Sequence, residues 1–209
     1  MIAEQHLVFL VEEPSMEAFL RTLLPRILPQ TISFQINAFQ GKTDLLAKLE
    51  SRLRGYAKSL QSIQGKWRII VIVDRDDDDC KQLKQKLENC AVKAGLLTKS
   101  QSKTGTWELV NRIVIEELES WYFGDWEAVK AAYPRVSATI HNQQKYRQPD
   151  AIVGGTWEVF ERILQRYGHF KSGLPKIEAA RTIGKFIDAQ RNRSPSFQCF
   201  IQTINEIVG

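Results

Sequence analysis

WRIIVIVDRDDDD, residues 67–79, is the stretch whose reading decides the fold. Ile69, Ile70, Val71, Ile72 and Val73 are all β-branched, with no polar residue between them. A run of that kind reads as a strand buried on both faces, as at the centre of a parallel sheet. It stops on Asp74, so a carboxylate begins where the buried strand ends. The acidic run Asp76–Asp79 follows, and Leu83, Leu87, Cys90, Ala91 and Ala94 then fall on one face of a helix over 79–94.

Outward from this centre, short β-rich runs alternate with helical patterns, the signature of a parallel α/β sheet. His6–Val11 is a second compact apolar run, ending at Glu12 and Glu13. Pro14 then opens a helix striped by Met16, Phe19, Leu20, Leu23 and Leu24, which Pro25 is expected to end or kink. Residues 32–39 alternate as a strand, and Leu45, Leu49 and Leu53 mark the next helix. After a polar loop over 98–106, residues 109–115 form a fourth strand, followed by a helical 116–123. From about Tyr133 the strand pattern is lost, and helices are expected over 157–167, 176–188 and 197–208. The expected architecture is an α/β domain over 1–132, with a four-stranded parallel sheet flanked by helices. A helical, basic C-terminal extension over 133–209 packs on it.

Composition narrows the class further. The chain has 209 residues, 43% hydrophobic and 25% charged, as in an ordinary globular protein. Its apolar runs are far shorter than the ~20 residues of a membrane span. The first twenty residues hold four glutamates and no basic segment, which argues against a secretory signal. Three cysteines with no C-x-x-C pair suit free thiols in a reducing cytoplasm. The three histidines lack ligand spacing for zinc. The net charge of +5 is uneven, because residues 130–209 carry 12 lysines and arginines against six acids. A basic tail behind a near-neutral front that holds acidic clusters suits a metal-dependent enzyme acting on a polyanion, and equally a solvated helical face.

The acids gather at three expected strand ends: Glu12 and Glu13, then Asp74 and Asp76, then Glu116, Glu117 and Glu119. In a parallel sheet those ends share one edge, where open α/β folds place their ligands. Converging carboxylates repel and lose hydration unless a cation joins them. With no Cys or His among them, the suited ion is hard, Mg²⁺ or Mn²⁺, which activates water and stabilises charge on phosphate. Each piece also has a plainer reading. Glu12 and Glu13 suit a helix start, and Asp77–Asp79 suit an N-cap cluster, the favoured reading for that run. Among the basic residues, Lys176 follows Pro175 at a helix start and is the candidate electrophile, or else a solvated surface lysine. Arg181, Lys185, Arg191 and Arg193 are candidate phosphate contacts. The tryptophans read as packing residues rather than base-stacking platforms.

Glu12 after the first strand, with Asp74-Arg75-Asp76 after the third, resembles the TOPRIM signature of a glutamate and a DxD pair. The stretch Glu117-Leu118-Glu119-Ser120-Trp121 with Asp125, and the ending Arg193-Ser194-Pro195-Ser196-Phe197 with Phe200, extend the match. Together they resemble the TOPRIM-like domain of unknown function 4276, whose relatives are often partnered with ATPases in phage defence.

The resemblance implies a TOPRIM-like fold and a Mg²⁺- or Mn²⁺-dependent nuclease. Glu12 would be a metal ligand or general base, and Asp74 and Asp76 metal ligands. Glu119, or its neighbours Glu116 and Glu117, would match the extra acid of the overcoming-lysogenization-defect nucleases. Where the TOPRIM glutamate is usually followed by Gly, this chain has Glu13, a side chain that can tighten the site or add a ligand. The implied partners are nucleic acid, an ATPase and a second copy of the chain, with no membrane. The alternative is a non-catalytic, partner-binding subunit. A phospho-receiver is a third reading, disfavoured by chain length and by the lack of a lysine ending a fifth strand. Glu12, Asp74 and Asp76 are expected within reach of one cation.

Overall fold

A computed structural model describes residues 5–61 and 66–209. The elements run β1 (Gln5–Val11), α1 (Pro14–Ile27), β2 (Ile32–Ala38), α2 (Lys42–Leu60), β3 (Lys66–Asp74), α3 (Cys80–Lys93) and β4 (Leu109–Val114). Helices α4 (Glu119–Gly124), α5 (Trp126–Ala132), α6 (Thr156–Arg166), α7 (Lys176–Gly184) and α8 (Pro195–Val208) complete the chain. The four strands form one all-parallel sheet in the order β2-β1-β3-β4. The register pairs Val11 with Ala38 on one side and with Ile72 on the other.

Contacts divide the chain into two compact units that interleave along the sequence. The first takes residues 1–14, 29–73 and 78–113; the second takes 15–28, 74–77 and 114–209. Chain order suggests a boundary near 132, whereas each compact unit is assembled from three segments of the chain. The first unit is built on β-branched and leucine side chains. Val8, Leu10, Ile69, Val71 and Val73 alternate onto one sheet face, where Leu45, Leu49 and Leu53 of α2 and Leu83 and Leu87 of α3 meet them. All ten are almost wholly excluded from water. At about 25 cal/mol per Å² of apolar surface, burying each stabilises the unit by roughly 1.5–3 kcal/mol before chain entropy is counted.

The second unit has an aromatic core. Trp121 stacks on Phe200 at 5.4 Å and meets Phe197 edge-on at 5.1 Å, with Phe19 of α1 at 5.7 Å. Phe123 stacks on Trp126 and on Tyr146. Long-range polar ties hold the same unit. Arg26 donates to the carbonyls of Gly184 and Ile187 at 2.8 and 2.7 Å.

Several boundaries differ from expectation. Helix α1 continues through Pro25 to Ile27, because Pro25 falls in its last turn and costs only one ladder hydrogen bond. Helix α4 starts at Glu119 rather than at 116, since Glu116 has a left-handed backbone (φ 62°) that a helix cannot include. Helix α7 ends at Gly184 rather than near 188. Helix α5 has no counterpart in the sequence reading; Asp125 starts it, accepting from the Ala128 N–H at 3.3 Å.

Candidate metal and phosphate site at the sheet edge

The site begins with where strands stop. Asp74 is the last residue of β3, and Glu12 directly follows β1, its N–H donating to the Ile72 carbonyl at 3.2 Å. Because β1 and β3 are parallel neighbours, both strand ends lie on the C-terminal edge of one sheet. Glu12, Asp74 and Glu119 are 8%, 7% and 3% exposed, a burial unusual for carboxylates. Glu119 opens α4, where the helix dipole favours an acid.

In the second unit the segment after β3 is bonded to the segment after β4. Arg75 N–H donates to the Val114 carbonyl at 2.8 Å, and Asp76 N–H to the Glu116 carbonyl at 3.0 Å. The Arg75 guanidinium forms an ion pair with the Glu116 carboxylate and also donates to the Asp76 carbonyl at 3.2 Å. Asp76 (φ 47°) and Glu116 (φ 62°) both have left-handed backbones, a conformation costing non-glycine residues about 1–2 kcal/mol each. Two such residues bonded to each other at strand ends place backbone strain beside the acids, where functional sites concentrate it.

Glu117 has a different role. It accepts from Thr156 Oγ1 and from the Trp157 N–H, both at 3.0 Å, and so occupies the N-terminus of α6. Burial pushes its carboxyl above the usual carboxylate range, against the pull of those hydrogen bonds and of the Lys176 charge. The Lys176 ammonium lies 4.8 Å from the centre of the Trp157 ring, a cation–π contact. Lys176 therefore belongs with Glu117 and Trp157, at the junction of α6 and α7.

The aspartate run divides by function. Asp79 caps α3, accepting from the Gln82 N–H at 2.8 Å, as the N-cap reading expects. Asp78 is held below its usual pKa by the Lys42 ammonium, which donates to it at 2.8 Å. Asp77 is exposed, and Glu13 is half-buried.

The four candidate phosphate contacts separate as well. Arg191 grips the buried Asp125 through two hydrogen bonds, of 2.7 and 3.0 Å, which raise its pKa. Its role is to fix the turn before α8. Arg181, Lys185 and Arg193 are exposed. The tail segment is structural in the same sense. Ser194 caps α8 and donates to Asp150 at 2.6 Å, and the Trp121 indole donates to Ser196 at 3.0 Å. Asp125 carries the match to the third motif, and its role is to anchor Arg191. Asp150 and the buried Glu88 have no signal in the sequence, because their hydrogen-bond partners lie 12–46 residues away.

Among the described residues, no group of three or more His, Cys, Asp or Glu side chains is arranged to hold a metal ion. Glu12, Asp74 and Asp76 thus share a sheet edge by topology, without forming the ready three-carboxylate cluster expected of them. The donors present are nonetheless oxygen only, the chemistry a hard cation takes.

Taken together, these observations define an α/β protein with acids at the C-terminal edge of a parallel sheet. Residues 11–205 match the sequence model of the family described as Domain of unknown function (DUF4276), and the chain belongs to that family. No curated protein and no solved structure matched the chain. No described helix is long and apolar enough to cross a membrane.

Proposed function

We propose that the chain is a Mg²⁺- or Mn²⁺-dependent, TOPRIM-type phosphodiesterase acting on nucleic acid, working in the cytoplasm in prokaryotic phage defence beside an ATPase partner. The observation that carries this reading is the burial of Glu12, directly after β1, of Asp74, which ends β3, and of Glu119, which opens α4, at 8%, 7% and 3% exposure. Burial costs a carboxylate its hydration, and a cation bound beside it offsets that cost. Mg²⁺ is commonly held by one or two carboxylates, with waters and substrate phosphate completing its shell. Asp74 and Asp76 are the residues that would hold it. When bound, the metal lowers the pKa of water and neutralises charge on the phosphate.

The chain's own residues do the rest. Glu12 accepts the proton of the attacking water. Lys176, held by the face of Trp157, offers positive charge to the phosphate oxygens as charge grows on them. The exposed Arg181, Lys185 and Arg193 supply sequence-independent attraction to the backbone. A non-catalytic, partner-binding subunit is the second reading. It is favoured by the Arg75–Glu116 ion pair, which already neutralises one acid at the strand ends.

The test is cleavage of end-labelled single- and double-stranded DNA and RNA with Mg²⁺ or Mn²⁺ present. Shortened products that vanish in EDTA support the enzyme. Intact substrates under every condition favour the binding subunit.

A further inference from the structure

The second unit contains a cavity of about 650 Å³ between α6 and the short turns before it. Lys145, Arg147, Arg162 and Arg166 line it, and no acidic side chain does. Arg162 and Arg166 sit one helical turn apart on α6, with Val159 and Ile163 on the same face forming an apolar floor. Like charges at that spacing cost a few tenths of a kcal/mol unless something answers them. Among the described residues neither arginine has an acid partner. Glu158, four residues before Arg162 on α6, lies outside the cavity lining, and two other acids are bonded elsewhere. Asp150 accepts from Ser194 and from the Ser196 N–H, and Glu161 accepts from the Leu174 N–H at 2.7 Å. The amide side chains of Gln144 and Gln148 add neutral donors to the wall.

Arg147 also donates to the Asn142 carbonyl at 2.9 Å, and Lys145 lies over the Tyr146 ring. A concave space of small-ligand size with four cations, two amides and an apolar floor suits a multiply charged anion with an apolar part. The N-terminus of α6, the usual anion seat of a helix, is filled by Glu117.

We propose that this cavity binds the phosphates of a nucleotide, either free or as one unit of a single strand. The guanidinium groups take the phosphate oxygens, and the base lies on the floor of Val159 and Ile163. The strand source rests on the phosphodiesterase reading above; the free-nucleotide source does not.

The experiment is fluorescence anisotropy of a labelled single-stranded oligonucleotide with the full chain in EDTA, so that no cleavage is needed. ATP and inorganic phosphate serve as competitors, and salt is varied. Arg162→Glu/Arg166→Glu should weaken binding at least tenfold and flatten the salt dependence by about 1.4 in log–log slope, at roughly 0.7 per lost phosphate contact. Arg162→Gln/Arg166→Gln, checked for an unchanged melting temperature, should lose binding in the same direction. Arg52→Glu/Lys58→Glu changes net charge equally on exposed positions of α2 and should bind like wild type. Displacement of the oligonucleotide by ATP but not by inorganic phosphate identifies the free nucleotide as a ligand. Without competition, and with the same mutational loss, the strand is the ligand. Wild-type binding by both Arg162/Arg166 variants, or equal loss in the α2 control, overturns the proposal. Because cleavage is not read, an inactive chain that still binds here would sink only the phosphodiesterase reading.

Discussion

The N–H of Asp76 donates to the carbonyl of Glu116 at 3.0 Å, and both residues have left-handed backbones, at φ 47° and 62°. This bond ties the segment after β3 to the segment after β4, and it holds only if both strained conformations persist. Glycine adopts such a φ without cost, while a β-branched side chain tolerates it worst. Glu116→Gly should therefore be nearly neutral, since relief of about 1 kcal/mol offsets loss of the ion pair to Arg75. Glu116→Val should destabilise by more than about 1 kcal/mol. Urea unfolding of both variants measures the difference. Equal loss in the two would show that the ion pair, rather than the backbone, sets the cost.

Arg191 and Asp125 make a second, distinct prediction. The Asp125 side chain is fully buried and accepts from Arg191, from the Asp188 N–H at 2.8 Å and from the Ala128 N–H. Removing the guanidinium leaves a buried carboxylate short of its charged partner. Arg191→Ala should cost about 2–3 kcal/mol of stability, the scale of hydrogen bonds to charged groups. The folded protein should bind oligonucleotide as wild type does. Unfolding and anisotropy on the same preparation separate the effects, and weaker binding at unchanged stability would return Arg191 to the phosphate contacts.

Two glutamates should respond to pH with opposite signs. Burial opposes the charge on Glu88, but Ser100, Thr98 and Asn111 hydrogen bonds and the Lys84 charge hold its pKa at about 2. A folded pKa below the unfolded value stabilises above pH 4.5, and that contribution is lost as pH falls towards 2. Glu88→Gln should be less stable than wild type by about 3 kcal/mol at neutral pH, with the gap closing across that range. Glu117 is raised chiefly by burial, so its ionisation opposes folding as pH rises through the folded value. Glu117→Gln should be at least as stable as wild type at pH 7, and any advantage should shrink below the usual glutamate pKa. Denaturation curves over pH 2.5–8 test both signs.

The sheet was legible because its code is local. Ile69–Val73 and Leu7–Val11 are buried runs that stop on carboxylates, so strand, edge and acids can be read together. What was not legible depends on distant partners. Arg191 and Arg193 look alike in the chain, yet one is held by Asp125, 66 residues earlier, and the other is exposed. Helix α1 looks like a simple crossover after β1, but Arg26 bonds carbonyls 158 and 161 residues away and places α1 in the second unit. The cations at 145, 147, 162 and 166 form no run, so only folding assembles their cavity.

The phosphodiesterase reading turns on Asp74, the buried acid that ends the central strand. The most direct measurement is the rate of Mn²⁺-dependent cleavage of a labelled oligonucleotide by wild type and by Asp74→Asn, with folding confirmed by melting temperature. Asn keeps the shape but removes the charge that would hold the metal, so cleavage should fall at least ~100-fold, about 2.7 kcal/mol in barrier, while binding in EDTA is retained. Cleavage by Asp74→Asn at the wild-type rate would contradict the account.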